Sequence, residues 1–249
     1  MAKHSRIDAL VVGGGAWGTT LATLMARGGR RVRMWVRDRE LAREINLGHT
    51  NDRYLSGFEL PPDLRAVVDL KRAVRCAPVI LMVVPSKHFR AVARTVGEVI
   101  EGDQVLVHAT KGIEEDSFKR MSQVLSEETC TLKTGVLTGP NLAREIMAGD
   151  PAGALVASRF EAVVEAVQPL FAGCNLRVYG GSDVIGAEVG GAFKNIIALA
   201  AGAADGMGLG ANAKALLLTR GLIEMARFGA ALGARVHTFV GLAGIGDLI

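Results

Sequence analysis

Two lysines give the first chemical lead. Lys194 stands in Gly190-Gly191-Ala192-Phe193-Lys194-Asn195, an ammonium among small residues in an apolar helical run, and Lys111 lies in Ala109-Thr110-Lys111-Gly112, directly after a β-rich run. A glycine pair inside a helix costs about 1 kcal/mol per residue relative to alanine, so the close approach of another backbone or of a ligand is expected to compensate. Desolvation and a like charge such as Lys111 lower the pKa of a buried ammonium, which would poise Lys194 to exchange a proton with a hydroxyl or carbonyl. Spacing alone leaves open a plainer alternative, a lysine that carries its head to water along the helix surface.

A second constellation binds rather than reacts. Gly13-Gly14-Gly15-Ala16-Trp17-Gly18 follows an apolar strand run and opens a helix. In that context Gly13 permits a tight turn, Gly15 lets backbone approach a pyrophosphate, and Gly18 allows close helix-to-strand packing, while the helix N-terminus offers unpaired N–H donors. A dinucleotide is the expected ligand. The end of the second strand reads Val36-Arg37-Asp38-Arg39: a carboxylate there would bond a ribose 2′-hydroxyl and a guanidinium would accept a 2′-phosphate. Arg37 favours NADP(H), and the neighbouring Asp38 keeps NAD(H) open. Val83-Val84-Pro85-Ser86, Ala109-Thr110-Lys111-Gly112 and Thr138-Gly139-Pro140-Asn141 end further strands, and ligands of open α/β sheets bind outside the carboxyl ends of strands. Singly each is an ordinary turn; in succession they outline one cleft, with Lys111 beside the reacting end of the cofactor.

These groups need a scaffold of a particular kind. Apolar β-rich runs at 7–12, 31–36, 79–84, 104–109 and 135–138 alternate with helical patterns at 19–27, 87–100 and 117–126, which implies a parallel sheet with right-handed crossovers. Runs at 152–157 and 175–179, around a helix at 161–172, could extend the sheet on one edge. From 183 the texture turns helical, with runs at 184–204 and 212–232 and a short segment near 237. The expected fold class is α/β: a Rossmann-type doubly wound sheet in a dinucleotide-binding domain, 1–182, followed by an all-helical substrate domain, 183–249. The longest irregular stretch, 47–62, reads equally as a mobile substrate flap or a surface connection.

Composition removes several other classes. With 249 residues, 49% hydrophobic and 22% charged, the chain can bury a large core. A net charge of +4 suits small anions; the basic residues form no block longer than Arg30-Arg31 and Arg37-Asp38-Arg39, and aromatics are 5%, so no nucleic acid is expected as partner. Cys76, Cys130 and Cys174 are far apart with no CxxC, which argues for a reducing compartment and against a metal site. The polar Met1 to Arg6 leaves no room for a signal peptide. The apolar run 184–204 is interrupted or bordered by Asp183, Glu188, Lys194, Asn195 and Asp205, charges that are costly in hydrocarbon, so a core helix is expected rather than membrane insertion.

In combination the residues resemble the bacterial-type NAD(P)-dependent glycerol-3-phosphate dehydrogenase family. The likeness rests on the segments above together with Thr19, Leu142-Ala143, Asp205-Gly206, Gly210-Ala211-Asn212-Ala213 and Gly241-Leu242-Ala243-Gly244-Ile245-Gly246-Asp247-Leu248, in family order across essentially the whole chain. The resemblance implies interconversion of dihydroxyacetone phosphate and sn-glycerol 3-phosphate for glycerophospholipid synthesis, by a cytoplasmic homodimer using NADP(H) or NAD(H). It implies that Ala16, Trp17, Arg37, Lys111 and Ala143 contact the cofactor, that Lys111, Gly139, Asn141 and Asp247 face a small phosphorylated three-carbon substrate, and that Lys194 is the proton acceptor, with Lys111 stabilising the reacting oxygen. The sequence stops at Gly246-Asp247-Leu248-Ile249, where the family continues with a Ser-Arg-Asn motif that holds the substrate phosphate. A missing guanidinium contact costs about 1.5–3 kcal/mol. Two other readings remain: a β-hydroxyacid dehydrogenase of related fold, which would not be expected to carry 109–112 and 241–247 together, and a catalytically silent NADP(H)-binding protein.

Overall fold

The computed structural model describes residues 7–248; Met1 to Arg6, and the expectation about a leader drawn from them, lie outside those residues, as does Ile249. The strands are Ala9–Val12 (β1), Val32–Trp35 (β2), Arg65–Val67 (β3), Val79–Met82 (β4), Val105–His108 (β5), Thr134–Thr138 (β6), Ala152–Ala157 (β7) and Leu176–Gly181 (β8). They form one sheet in the order β3-β2-β1-β4-β5-β6-β7-β8, parallel except where β6 meets β7. Buried at every position, β1, β4 and β5 are the central strands, as expected of a parallel sheet covered on both faces.

The helices are Ala16–Arg27 (α1), Arg39–Arg43 (α2), Asp52–Leu55 (α3), Leu70–Arg75 (α4), Ser86–Gly97 (α5), Met121–Glu128 (α6), Ala143–Ala148 (α7), Glu161–Val167 (α8), Val184–Gly206 (α9), Ala211–Ala231 (α10) and Ile245–Leu248 (α11). Leu21 and Met25 of α1, Ile146 of α7 and Val163 of α8 share one core with Met34 and Leu81. On the opposite face Val74 of α4, Phe89 and Val96 of α5, and Val124 of α6 pack on Leu10, Ile80 and Leu106. The doubly wound sheet expected from the alternating pattern is therefore present, and β7 and β8 extend one edge.

Three expectations change. The stretch 47–62 is not a free flap. A wide helical turn at Glu44–Gly48 and α3 occupy part of it, Leu55 and Leu60 are buried, and the buried Asn51 donates from Nδ2 to Gly14 O at 3.0 Å and to Thr19 Oγ1 at 2.7 Å. Second, β3 went unread because three residues at a sheet edge, just after Pro61-Pro62, are too short for an alternating pattern. Third, α9 is a core helix only over its first half. Gly186 to Gly191 are buried, whereas Ile196 and Leu199 are exposed. Length and composition alone would let α9 cross a membrane, but Glu188 is held in polar contacts within the fold.

Asp183 caps α9 and ties it to the segment after α10. Its carboxylate accepts from Gly186 N at 2.9 Å, Arg235 N at 2.8 Å and Thr238 Oγ1 at 2.6 Å, satisfying N–H groups that a helix start leaves unpaired.

Candidate active site

The parallel register brings the carboxyl ends of β1, β4, β5 and β6 to one edge: Val12 is level with Met82, Met82 with His108, and His108 with Val136. The strand order reverses between β1 and β4, and a sheet of this type opens its ligand crevice at that point. Gly13, with φ +130°, lies against the Val83 carbonyl, and a Cβ on Gly18 would stand 2.2 Å from Gly13 O. Both positions exclude a side chain. A Cβ on Gly15, by contrast, would meet nothing within 4 Å, and no side chain caps α1. The turn thus offers open space in front of a helix N-terminus, where a pyrophosphate fits. Ala16 and Trp17 begin α1 and Ala143 begins α7, all three packed on the core of that face.

Arg37 lies just beyond β2 and is exposed. The neighbouring Asp38 is engaged elsewhere: its carboxylate accepts from Glu40 N at 2.8 Å, capping α2, and lies 3.8 Å from Arg53.

Across the switch point, Lys111 Nζ donates to Gly139 O at 3.2 Å and to Asp247 Oδ2 at 2.5 Å. Lys194 Nζ, from α9, donates to Asp247 O at 2.9 Å and pairs with Asp247 Oδ1. The Asp247 side chain is 2% exposed and that of Lys194 is 16% exposed, so Lys194 does not carry its head to bulk water. Burial pushes the Lys111 pKa down, and the Lys194 charge adds to that, while Asp247 opposes both; the outcome is about 8. A lysine near neutrality can hold or release a proton in the working pH range.

Gly190 and Gly191 allow this meeting. A Cβ on Gly190 would stand 2.0 Å from Ala243 O, and one on Gly191 would stand 3.2 Å from Thr138 Oγ1 and 3.6 Å from Lys111 Cγ. Backbone approach is what compensates for glycine here. Asn141, two residues after Gly139, has both amide atoms buried without a protein partner, a state that a polar ligand in the cleft would relieve. Lys111, Gly139, Lys194 and Asp247 are thus joined directly, Asn141 stands beside them, and Arg37 follows β2, on the other side of the switch point.

Sequence reasoning missed a buried network next to this group. Glu188, on α9, accepts at Oε1 from Ser122 N at 2.7 Å and at Oε2 from Ser122 Oγ at 2.7 Å and Arg120 Nη1 at 2.5 Å. His108 Nε2 lies 3.1 Å from Oε1. Burial raises the carboxyl pKa, but the His108, Arg120 and Ser122 contacts outweigh it and hold Glu188 below the usual carboxylate value. A charge inside an apolar run was the available signal; its three partners lie 66 to 80 residues away in sequence. A cavity of about 630 Å³, lined in part by Arg33, Arg43 and Arg72, opens at the β3 edge and shares no lining residue with the lysine cluster.

Comparison with known proteins supplies independent findings. The family model described as NAD-dependent glycerol-3-phosphate dehydrogenase N-terminus matches residues 8–164, and its C-terminus counterpart matches residues 183–249. The chain is 46% identical over 246 residues to a glycerol-3-phosphate dehydrogenase (NAD(P)+) of Acinetobacter baylyi, covering 99% of this chain and 69% of that protein. It is likewise 46% identical over 244 residues to one from Sphingopyxis alaskensis, covering 98% and 73%. The crystal structure of glycerol-3-phosphate dehydrogenase from Coxiella burnetii superposes with a TM-score of 0.90 at 36% identity, covering 96% of this chain and 74% of that one.

Proposed function

Because the chain belongs to the NAD-dependent glycerol-3-phosphate dehydrogenase family, we propose that it interconverts dihydroxyacetone phosphate and sn-glycerol 3-phosphate as an NAD(P)-dependent oxidoreductase. The observation that carries the assignment to a site is the convergence of Lys111 and Lys194 on Asp247 at the carboxyl edge of the sheet.

Gly13, Gly15 and Gly18, with Ala16 and Trp17, would hold the dinucleotide at the α1 N-terminus, with Lys111 and Ala143 as further cofactor contacts; held there, a nicotinamide would supply hydride to, or accept it from, C2 of the substrate. Lys194 Nζ gives a proton to the C2 oxygen during reduction and takes it back during oxidation. Lys111, charged below about pH 8, stabilises negative charge developing on that oxygen. Asp247 keeps both ammonium heads in the cleft, and the Asn141 amide and the Gly139 backbone line the substrate's side of it. The division of labour follows the chain, with the cofactor on 1–182 and the substrate completed by 183–249. A cytoplasmic homodimer that feeds glycerophospholipid synthesis belongs to the same reading, and the solution mass checks the dimer.

The deciding assay is oxidation of NADPH, and separately of NADH, by this 249-residue chain with dihydroxyacetone phosphate. Substrate-dependent oxidation is expected; quenching of NADPH fluorescence without it would identify a silent binder. Arg37, exposed just beyond β2, favours a 2′-phosphate, and the Asp38 carboxylate, which caps α2 through Oδ1, leaves NADH usable. Replacing Arg37 by aspartate removes a charge-assisted contact of about 1.5–3 kcal/mol, so NADPH preference should fall by roughly ten- to a hundredfold in kcat/KM relative to NADH. An unchanged ratio would place the ribose pocket elsewhere.

A further inference from the structure

The buried Glu188 network joins the three pieces of chain that carry or flank the site. His108 is the last residue of β5, three positions before Lys111. Arg120 and Ser122 stand at the start of α6. Glu188 lies in the first turns of α9, six positions before Lys194. The Glu188 and His108 side chains are 3% and 0% exposed, so neither contact is a solvated surface pair.

Chemistry fixes the state of the network. The carboxylate faces four donors: the Ser122 N–H and O–H, the Arg120 guanidinium, and His108 Nε2–H. His108 Nε2 carries a hydrogen, since only a donor there can face the Glu188 carboxylate. Phe89 packs edge-on against the ring, with centroids 5.7 Å apart.

A carboxylate so satisfied cannot slide without leaving buried donors unpaired, which is unfavourable. Its position therefore dictates how far α9 sits along β5. Next along α9 come Gly190, pressed on Ala243 O, and Gly191, pressed towards Thr138 and Lys111.

We propose that Glu188, anchored by His108, Arg120 and Ser122, is a positioning residue that seats α9 against β5 and thereby sets the spacing of Lys194 and Lys111 about Asp247. This rests on the assigned reaction only for its effect on rate; its effect on the lysine pair is independent of turnover. Lys111 is faced by Asp247 and Lys194, and its environment is the local reporter.

The test uses the full chain with His108→Leu, which removes the donor, His108→Gln, whose amide can replace Nε2–H, and Arg120→Met, which removes the more accessible anchor and keeps the test valid should the leucine variant not fold. The first readout is the pH midpoint for acylation of Lys111, followed by peptide mass analysis without substrate. In the wild type it should lie near 8; in His108→Leu and Arg120→Met it should move by about one pH unit or more, up where water enters the cleft and down where the Asp247 contact is lost, and in His108→Gln it should return towards the wild-type value. The second readout is kinetic: kcat should drop at least tenfold in the first and third variants with KM for NADPH within twofold. Folded His108→Leu or Arg120→Met protein with an unmoved Lys111 midpoint overturns the positioning role. A moved midpoint in a family of proteins that all lack turnover, wild type included, leaves the positioning role standing and removes the assigned reaction instead.

Discussion

Replacing Lys194 by alanine is expected to lower turnover with dihydroxyacetone phosphate by about 10²- to 10⁴-fold, the range for loss of a positioned proton donor, while NADPH affinity stays near normal. The side chain is mostly buried and its Nζ is held by both a backbone and a carboxylate oxygen of Asp247, so its head is fixed in the cleft. The groups assigned to the phosphates and ribose of the dinucleotide, the glycine turn, Trp17 and Arg37, lie on other elements, and of the cofactor contacts only Lys111 is linked to Lys194 through Asp247. Lys194→Arg separates charge from proton transfer. A guanidinium keeps the positive charge but does not give up a proton in the accessible pH range, so it should fail to restore the rate. Steady-state kinetics beside cofactor fluorescence titration checks this; a rate within a few fold of wild type in either variant would remove Lys194 from proton transfer.

Lys111 carries the second large effect, with a signature in pH. Its pKa near 8 arises mainly from burial, reinforced by the Lys194 charge and resisted by Asp247. The group is charged below that pH and neutral above it, so stabilisation of a developing oxyanion is present on the acid side and disappears as pH rises through about 8. The rate of reduction should therefore show an alkaline limb near pH 8. Lys111→Met should cost about 10²- to 10³-fold, as removal of one preorganised oxyanion donor does. Lys111→Arg should recover part of that rate and carry the limb to much higher pH, because the replacement stays charged. A limb unmoved by arginine would assign it to another group and leave Lys111 a binding residue.

Much of the scaffold was legible because central strands and surface helices impose different periods on the sequence. The runs that became β1, β4 and β5 are almost wholly apolar, as burial on both faces favours, with His108 the polar residue inside a strand, and 152–157 coincides with β7. The glycine turn was legible for a related reason: Gly13 and Gly18 occupy places where a Cβ would strike backbone, so local sterics permit few alternatives. Glu44–Gly48 and α3 were not legible, since their order comes from Asn51, Leu55 and Leu60 docking on distant residues, and a Pro- and Gly-rich stretch looks irregular until those contacts are known. The exposed second half of α9 escaped for a similar reason, because apolar composition states what a helix can bury and not how much of it finds a neighbour.

By itself the sequence determined the sheet's alternating build, the phosphate-cradling turn and the residue types available for chemistry, because each depends on contacts among neighbours or on short periods. Only the tertiary structure decided that Lys111 and Lys194 share Asp247 and that Glu188 is matched by three partners from β5 and the start of α6. Those outcomes depend on residues brought together from up to 136 positions apart, and the burial that shifts Lys111 is a property of the closed cleft rather than of any segment of chain.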